Sequence, residues 1–159
     1  MSLAKYKPPL SKLLIQYKEN RDVELASVFL SYYTAYLNFK YSGFTIVLTP
    51  SSLSKIKKRE FNHLELIFKN MNLPILNILT KKEGKEQKKN SASERGLVYK
   101  LIDIQNGCQI TGKKILLVDD VITTGNTLKA CLNLLKKYNP KRIEILTIMN
   151  DAPLSHYQK

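Results

Sequence analysis

The chain contains no tryptophan, two cysteines, two histidines, and 13 acidic side chains against 26 lysines and arginines. Cys108 and Cys131 are too few for a disulfide framework or a four-cysteine zinc site. Glycine and proline number 6 each, which excludes a low-complexity or collagenous chain. No apolar run approaches the roughly 18 residues of a membrane span. The opening Met1-Ser2-Leu3-Ala4-Lys5-Tyr6-Lys7-Pro8-Pro9 holds no apolar stretch of signal-peptide length, so a cytoplasmic location is expected. What is present is 43% hydrophobic residues in 159, enough for one domain with a sizeable core.

The shortage of acids leaves a net charge of +13. Such a field favours polyanions: nucleic acid, phosphorylated metabolites or an anionic surface. Residues 51–100 hold twelve basic and five acidic side chains, so about half the excess sits in the middle third. Within it, Lys81-Lys82-Glu83-Gly84-Lys85-Glu86-Gln87-Lys88-Lys89 reads as an exposed loop, by itself a solvated surface.

Hydrophobic spacing predicts strands alternating with helices. The first forty residues read as helical, with Val23, Ala26, Leu30, Tyr33 and Leu37 on one face. Phe44–Thr49, halted by Pro50, is a buried strand. Phe61, Leu64, Phe68 and Met71 mark a second amphipathic helix, followed after Pro74 by a strand over Ile75–Leu79. Residues 80–96 have no apolar period, and a loop that long in a compact domain is usually functional or mobile. A short strand near Leu101–Ile104 precedes the strongest one, Ile115-Leu116-Leu117-Val118. Leu128, Cys131, Leu132, Leu135 and Tyr138 define a helix ended by Asn139-Pro140, and Ile143–Met149 is the last strand. The pattern implies one α/β domain over 1–159, a parallel sheet flanked by helices. Its parts are a helical hood over 1–42, a core over 43–150 and a loop over 80–96.

Chemistry concentrates in Asp119-Asp120-Val121-Ile122-Thr123-Thr124-Gly125-Asn126-Thr127, directly after that strongest strand. In an open α/β sheet, ligands sit beyond the carboxyl ends of the strands. Thr123, Thr124, Gly125, Asn126 and Thr127 offer backbone N–H groups, hydroxyls and a sharp turn at a helix N-terminus, which suits a phosphate monoester. Asp119 and Asp120 point to opposite sides of an extended backbone, so at least one faces the crevice. Carboxylates there accept from sugar hydroxyls or hold the waters of a hydrated Mg²⁺. A strand end with a capped helix would use the same residue types. The full strand–loop–helix order favours a ribose 5-phosphate site.

This segment resembles the phosphoribosyl-pyrophosphate (PRPP) motif of type I phosphoribosyltransferases. The resemblance implies that fold, with Asp119 and Asp120 on the ribose hydroxyls as catalytic-site acids, Thr123–Thr127 around the 5-phosphate, and Mg²⁺ bound mainly by PRPP. Further stretches resemble the ComF-like (competence) branch. They are Tyr17–Ala26, Thr49-Pro50-Ser51, the Lys58-Arg59-Glu60-Phe61-Asn62 run that stands where relatives carry Arg-Gly-Phe-Asn-Gln, and Gln87 with Ser93-Glu94-Arg95. The likeness spans residues 12–150. It implies an association with DNA uptake and a homodimer or competence-machinery partner. The N-terminal four-cysteine zinc ribbon of many relatives is lacking here, and Glu60 and His63 replace a usual Gly and Gln.

The resemblance also places Ser51, Ser52 and Arg59 at a pyrophosphate loop. Ser51 and Ser52 serve equally well as a polar turn or helix cap, and Arg59 as a solvent-facing residue. Near such a pocket the Glu60 carboxylate is repulsive unless Arg59 or Lys58 neutralises it. Lys85, Lys88, Lys89 and Arg95 fall on the family's mobile loop, which closes to exclude water. The same lysines can instead neutralise single-stranded DNA. His63 is expected on the surface, His156 in a frayed tail, Cys131 in the core, and Tyr32 and Tyr36 facing outwards. Two function classes follow: a transferase displacing pyrophosphate from PRPP, and a non-catalytic binder of PRPP or single-stranded nucleic acid. The short tail from Asn150 to Lys159 offers no recognisable acceptor hood.

Overall fold

The run Ile115–Val118 lies at the centre of the sheet in a computed structural model that describes residues 1–20, 22–51, 60–82 and 101–151. The elements in chain order are β1 (Ser2–Lys5), α1 (Leu10–Asn20), a 3₁₀ turn (Val23–Ser27), α2 (Thr34–Lys40) and β2 (Phe44–Leu48). They continue with α3 (His63–Phe68), β3 (Ile75–Leu76), β4 (Leu79–Lys81), β5 (Ile102–Ile104), a 3₁₀ turn (Gly107–Ile110), β6 (Lys114–Ile122), α4 (Asn126–Lys136) and β7 (Arg142–Asn150).

Five strands form one parallel sheet in the order β1-β7-β6-β2-β3. A separate antiparallel pair joins β4 to β5. Parallel strands are buried on both faces, which is why Phe44–Leu48 of β2 and Ile115–Val118 of β6 are buried at every position rather than alternately. One face, with Leu116, Val118 and Leu146, packs against Leu14 and Tyr17 of α1, Leu37 of α2 and Ile67 of α3. The other, with Ile115 and Leu117, packs against Leu128, Cys131 and Leu135 of α4. Burying each such aliphatic side chain contributes about 1.5–3 kcal/mol.

Three local expectations change. Ser2–Lys5 is a strand: it pairs with β7, and the Met1 ammonium donates to the Ile145 carbonyl at 2.8 Å. The remainder of the first forty residues is two helices and a 3₁₀ turn rather than one face, and Val23 is exposed while Ala26, Leu30 and Leu37 are buried. The strand expected over Ile75–Leu79 breaks at Asn77, whose Nδ2 donates to Glu65 Oε2 at 3.1 Å. Beyond it the chain leaves the parallel sheet and pairs with β5, where Gln105 N–H donates to the Ile78 carbonyl at 2.8 Å.

Candidate functional site

At the carboxyl end of β6 the strand's aliphatic burial gives way to two carboxylates. Asp120 is buried and Asp119 half-buried, and the backbone N–H of Asp120 donates to Asp119 Oδ1 at 2.9 Å. The side chains take different surroundings. Asp120 meets α1 and α3: its Oδ2 is bound by Lys18 Nζ and, at 2.8 Å, by His63 Nε2. Asp119 receives the hydroxyl of Thr49 from the end of β2.

Local sequence explains how Lys18 and His63 arrive there. Tyr17 is fully buried, with its ring 5.5 Å from those of both Phe29 and Phe61, so the next residue of α1 projects beside it toward the strand end. The Tyr17 hydroxyl also donates to the His63 carbonyl at 2.9 Å. Asn62 caps α3, its Oδ1 accepting from Leu64 N–H at 3.2 Å and Glu65 N–H at 3.5 Å, which sets His63 as the first helical residue. His63 is 5% exposed, against the surface position expected from its place beside the apolar stripe. The six-residue helix is too short for that stripe to govern its first turn.

The two acids differ electrostatically. Burial pushes the Asp119 carboxyl up, the charge of Asp120 adds to this, and it reaches about 7 despite its bonds from the Asp120 N–H and Thr49. Burial also acts to raise Asp120, but the His63 bond and the Lys18 ammonium outweigh it and hold that carboxyl well below the ordinary range.

After β6 the chain turns through Thr123 and Thr124, both exposed, into Gly125 at φ +70°. That left-handed conformation favours glycine and starts α4 at Asn126. Its N-cap, Gly125, has no side chain with which to cap the helix, and the first turn holds no acid. Its first N–H groups have no partner within the helix, and the positive end of its dipole follows directly on the two threonines. Asn126 and Thr127 are half-buried in the first turn.

Thr49, Pro50 and Ser51, at the end of β2, line a cavity of about 550 Å³ with Asn62 of the α3 cap and Lys81 and Lys82 of the β4 end. Lys82 Nζ lies 3.4 Å from Asp103 Oδ2, an exposed pair of little energetic weight. Ser51 thus lines a crevice next to the acid pair. Ser52, Lys58, Arg59, Lys85, Lys88, Lys89, Arg95 and His156 lie outside the described residues. Among the described residues, no group of three or more His, Cys, Asp or Glu could hold a metal ion. Cys131 is buried in the α4 face, where burial pushes its thiol up to about 12, and Tyr32 and Tyr36 are exposed.

Sequence reasoning missed Lys18, His63 and Thr49. The available signals were the Tyr17-Lys18 step, an aromatic anchor followed by a long cation, and the capping Asn62 immediately before His63.

Comparison with known proteins places this geometry. The family described as "Phosphoribosyl transferase domain" matches residues 70–156. Competence protein ComFC of Streptococcus pneumoniae is 29% identical over 144 residues, which are 91% of this chain and 64% of that one. Human hypoxanthine-guanine phosphoribosyltransferase is 40% identical over 40 residues, 25% of this chain and 18% of that enzyme. The chain thus spans less than two thirds of the length of these relatives. A crystal structure of a hypoxanthine-guanine phosphoribosyltransferase from Bacillus anthracis superposes with TM-score 0.54 at 16% identity, covering 87% of this chain and 75% of that one. An adenine phosphoribosyltransferase from Saccharomyces cerevisiae does so with TM-score 0.52 at 14% identity, covering 83% and 72%. Among the described residues no helix is long and apolar enough to cross a membrane. A parallel sheet ending in an acid pair, a glycine turn and a helix, together with the match over 70–156, makes this chain a member of the phosphoribosyl transferase domain family, with the type I fold and a similarity to ComFC that runs along most of its length.

Proposed function

We propose that the protein binds PRPP at the carboxyl end of β6 and handles the 5-phosphoribosyl group. The observation that carries this reading is the N-terminus of α4, opened by Gly125 directly after two adjacent carboxylates. The 5-phosphate sits on the N–H groups of that first turn and on the Thr123, Thr124 and Thr127 hydroxyls. Asp119 and Asp120 take the ribose hydroxyls. The crevice past Thr49 and Ser51 receives the pyrophosphate, and Lys81 and Lys82 supply positive charge there. Mg²⁺, bound mainly by PRPP itself, would supply countercharge to the leaving pyrophosphate. In the transferase form, an acceptor nucleophile bonds the anomeric carbon while the bond from that carbon to the pyrophosphate oxygen breaks. Kinship with a competence protein supports a role in DNA uptake.

Thermal unfolding with PRPP and Mg²⁺ tests this, with ribose 5-phosphate and pyrophosphate as controls. Ligand at about 100 times its dissociation constant adds roughly 2.7 kcal/mol to stability. A shift specific to PRPP supports the reading, and pyrophosphate release then reports on turnover. No shift at millimolar PRPP overturns it.

A second reading, single-stranded nucleic-acid binding, is favoured by the opposite edge of the sheet. There β2, β6 and β7 begin at Phe44, Lys114 and Arg142, in register with one another. Lys113, Lys141 and Lys40 stand exposed beside them, and Lys40 Nζ lies 5.6 Å from the ring centre of exposed Tyr36. Cations interleaved with an aromatic suit a phosphate backbone with stacked bases. Affinity for an oligothymidylate should fall steeply with salt, and Lys40→Gln with Lys113→Gln and Lys141→Gln should flatten that slope. An unchanged slope removes this reading.

A further inference from the structure

Lys18 and His63 come from two different helices, yet both bind a single oxygen, Oδ2 of Asp120. Among the described residues neither bonds Oδ1. A buried ion cluster of this kind is close to neutral for stability when compared with well-packed apolar side chains, so folding alone does not account for it. It also joins three elements at one atom. α1 supplies Lys18 and, through the Tyr17 hydroxyl, a bond to the His63 carbonyl, while α3 supplies the imidazole and β6 the carboxylate.

Carboxylates bind neighbouring hydroxyls well only when their planes are held still. A terminal carboxylate torsion is broad and easily turned when nothing fixes it. Two donors converging on one oxygen remove that freedom and leave the other oxygen as the acceptor. We propose that Lys18 and His63 are positioning residues for Asp120, which clamp Oδ2 so that Oδ1 serves as the fixed acceptor for a ribose hydroxyl. This rests on the ribose 5-phosphate reading and assigns to the helical hood a part in sugar recognition. Among the described residues, the charged and titratable groups facing Asp120 are Lys18 from α1, His63 from α3 and Asp119 from its own strand. The first two hold Asp120 ionised, so acceptor and charge are fixed together.

The test compares the full chain with His63→Leu, His63→Gln and Lys18→Met. One readout is affinity for ribose 5-phosphate beside affinity for inorganic phosphate, which probes the Thr123–Thr127 turn alone. The other is the carboxyl ¹³C shift of Asp120 followed against pH without ligand. His63→Leu and Lys18→Met should weaken ribose 5-phosphate about tenfold, leave inorganic phosphate unchanged, and raise the pH at which Asp120 titrates. His63→Gln keeps an N–H donor and should recover most of the affinity. Folded variants that bind ribose 5-phosphate like the parent chain overturn the proposal, as does an equal loss of both ligands. If the parent chain binds neither ligand, the ribose 5-phosphate reading fails. The carboxyl titration then reports on the ion cluster alone: an Asp120 titration unmoved in both variants shows that Lys18 and His63 do not hold Oδ2, and overturns the clamp as well.

Discussion

His63 and Asp120 stand 57 residues apart in the chain and meet at 2.8 Å in the interior, Nε2 against Oδ2. The contact separates two carboxylates that are adjacent in sequence. Asp120 has donors on its oxygen, whereas Asp119 has the negative charge of Asp120 as its neighbour.

That difference predicts how stability varies with pH. Asp119 has its folded-state carboxyl raised to about 7, so its contribution is fully present below the ordinary carboxylate range. It is lost as pH rises through about 7, each pK unit being worth about 1.4 kcal/mol. Asp120 is lowered, so its contribution is present above the ordinary range and lost in stronger acid. Denaturant midpoints should therefore fall from about pH 4 to pH 7 and level off above it, and Asp119→Asn should flatten that fall. A parent chain with a level profile there contradicts the assignment.

Glu60 lies at φ +68°, in the left-handed region that disfavours a side chain with a β-carbon. It is the position at which the resemblance to ComF-like proteins leads glycine to be expected, so the side chain and the backbone are at odds. Glu60→Gly should raise stability by about 1 kcal/mol in urea unfolding, less whatever the exposed carboxylate contributes through its own contacts.

The opposite case is Gly107. A β-carbon there would lie 2.4 Å from Cζ of Tyr138, so the 3₁₀ turn before β6 packs its backbone directly on that ring. Gly107→Ala should cost about 1–3 kcal/mol. In the Tyr138→Leu background the cost should shrink, since the ring causes it, and a double-mutant cycle reads the coupling.

What the sequence made legible followed burial on both faces. β2, β6 and β7 read as strands because Phe44–Leu48, Ile115–Val118 and Leu146–Met149 are made of apolar and β-branched residues and are buried at every position. The start of α4 could be placed because Gly125 directly follows two hydroxyl residues. β1 was not legible: four residues carry no period, and what makes them a strand is pairing with β7 at the far end of the chain. The break at Asn77 depends on Glu65 across the fold, and the burial of His63 depends on Tyr17 and Lys18. Such contacts are set by tertiary structure, which local spacing does not encode.

Thr147 is paired in register with Asp119 on the neighbouring strand, and its hydroxyl is buried with no hydrogen-bond partner among the described residues. An unsatisfied buried hydroxyl costs about 1–3 kcal/mol, while an isosteric methyl does not. Thr147→Val should therefore hold or raise the thermal midpoint, and a clear loss would show that a water or the bound substrate uses that oxygen.

The acid pair should also separate by its two single variants. Asp119→Asn keeps a polar group of the same shape beside Thr49 and should weaken PRPP while leaving the fold intact. Asp120→Asn removes the countercharge of Lys18, whose side chain is 21% exposed, and leaves that ammonium and His63 short of an acceptor. Full burial would put such a loss at about 3–5 kcal/mol, and partial exposure brings it to roughly 2–3 kcal/mol. Lys18→Met in the same chain removes the stranded charge, so the double variant Lys18→Met with Asp120→Asn should be more stable than Asp120→Asn alone. Urea unfolding of the four proteins measures this. A double variant no better than the single one would place the cost of losing Asp120 elsewhere, since the stranded ammonium is the only part that Lys18→Met repairs.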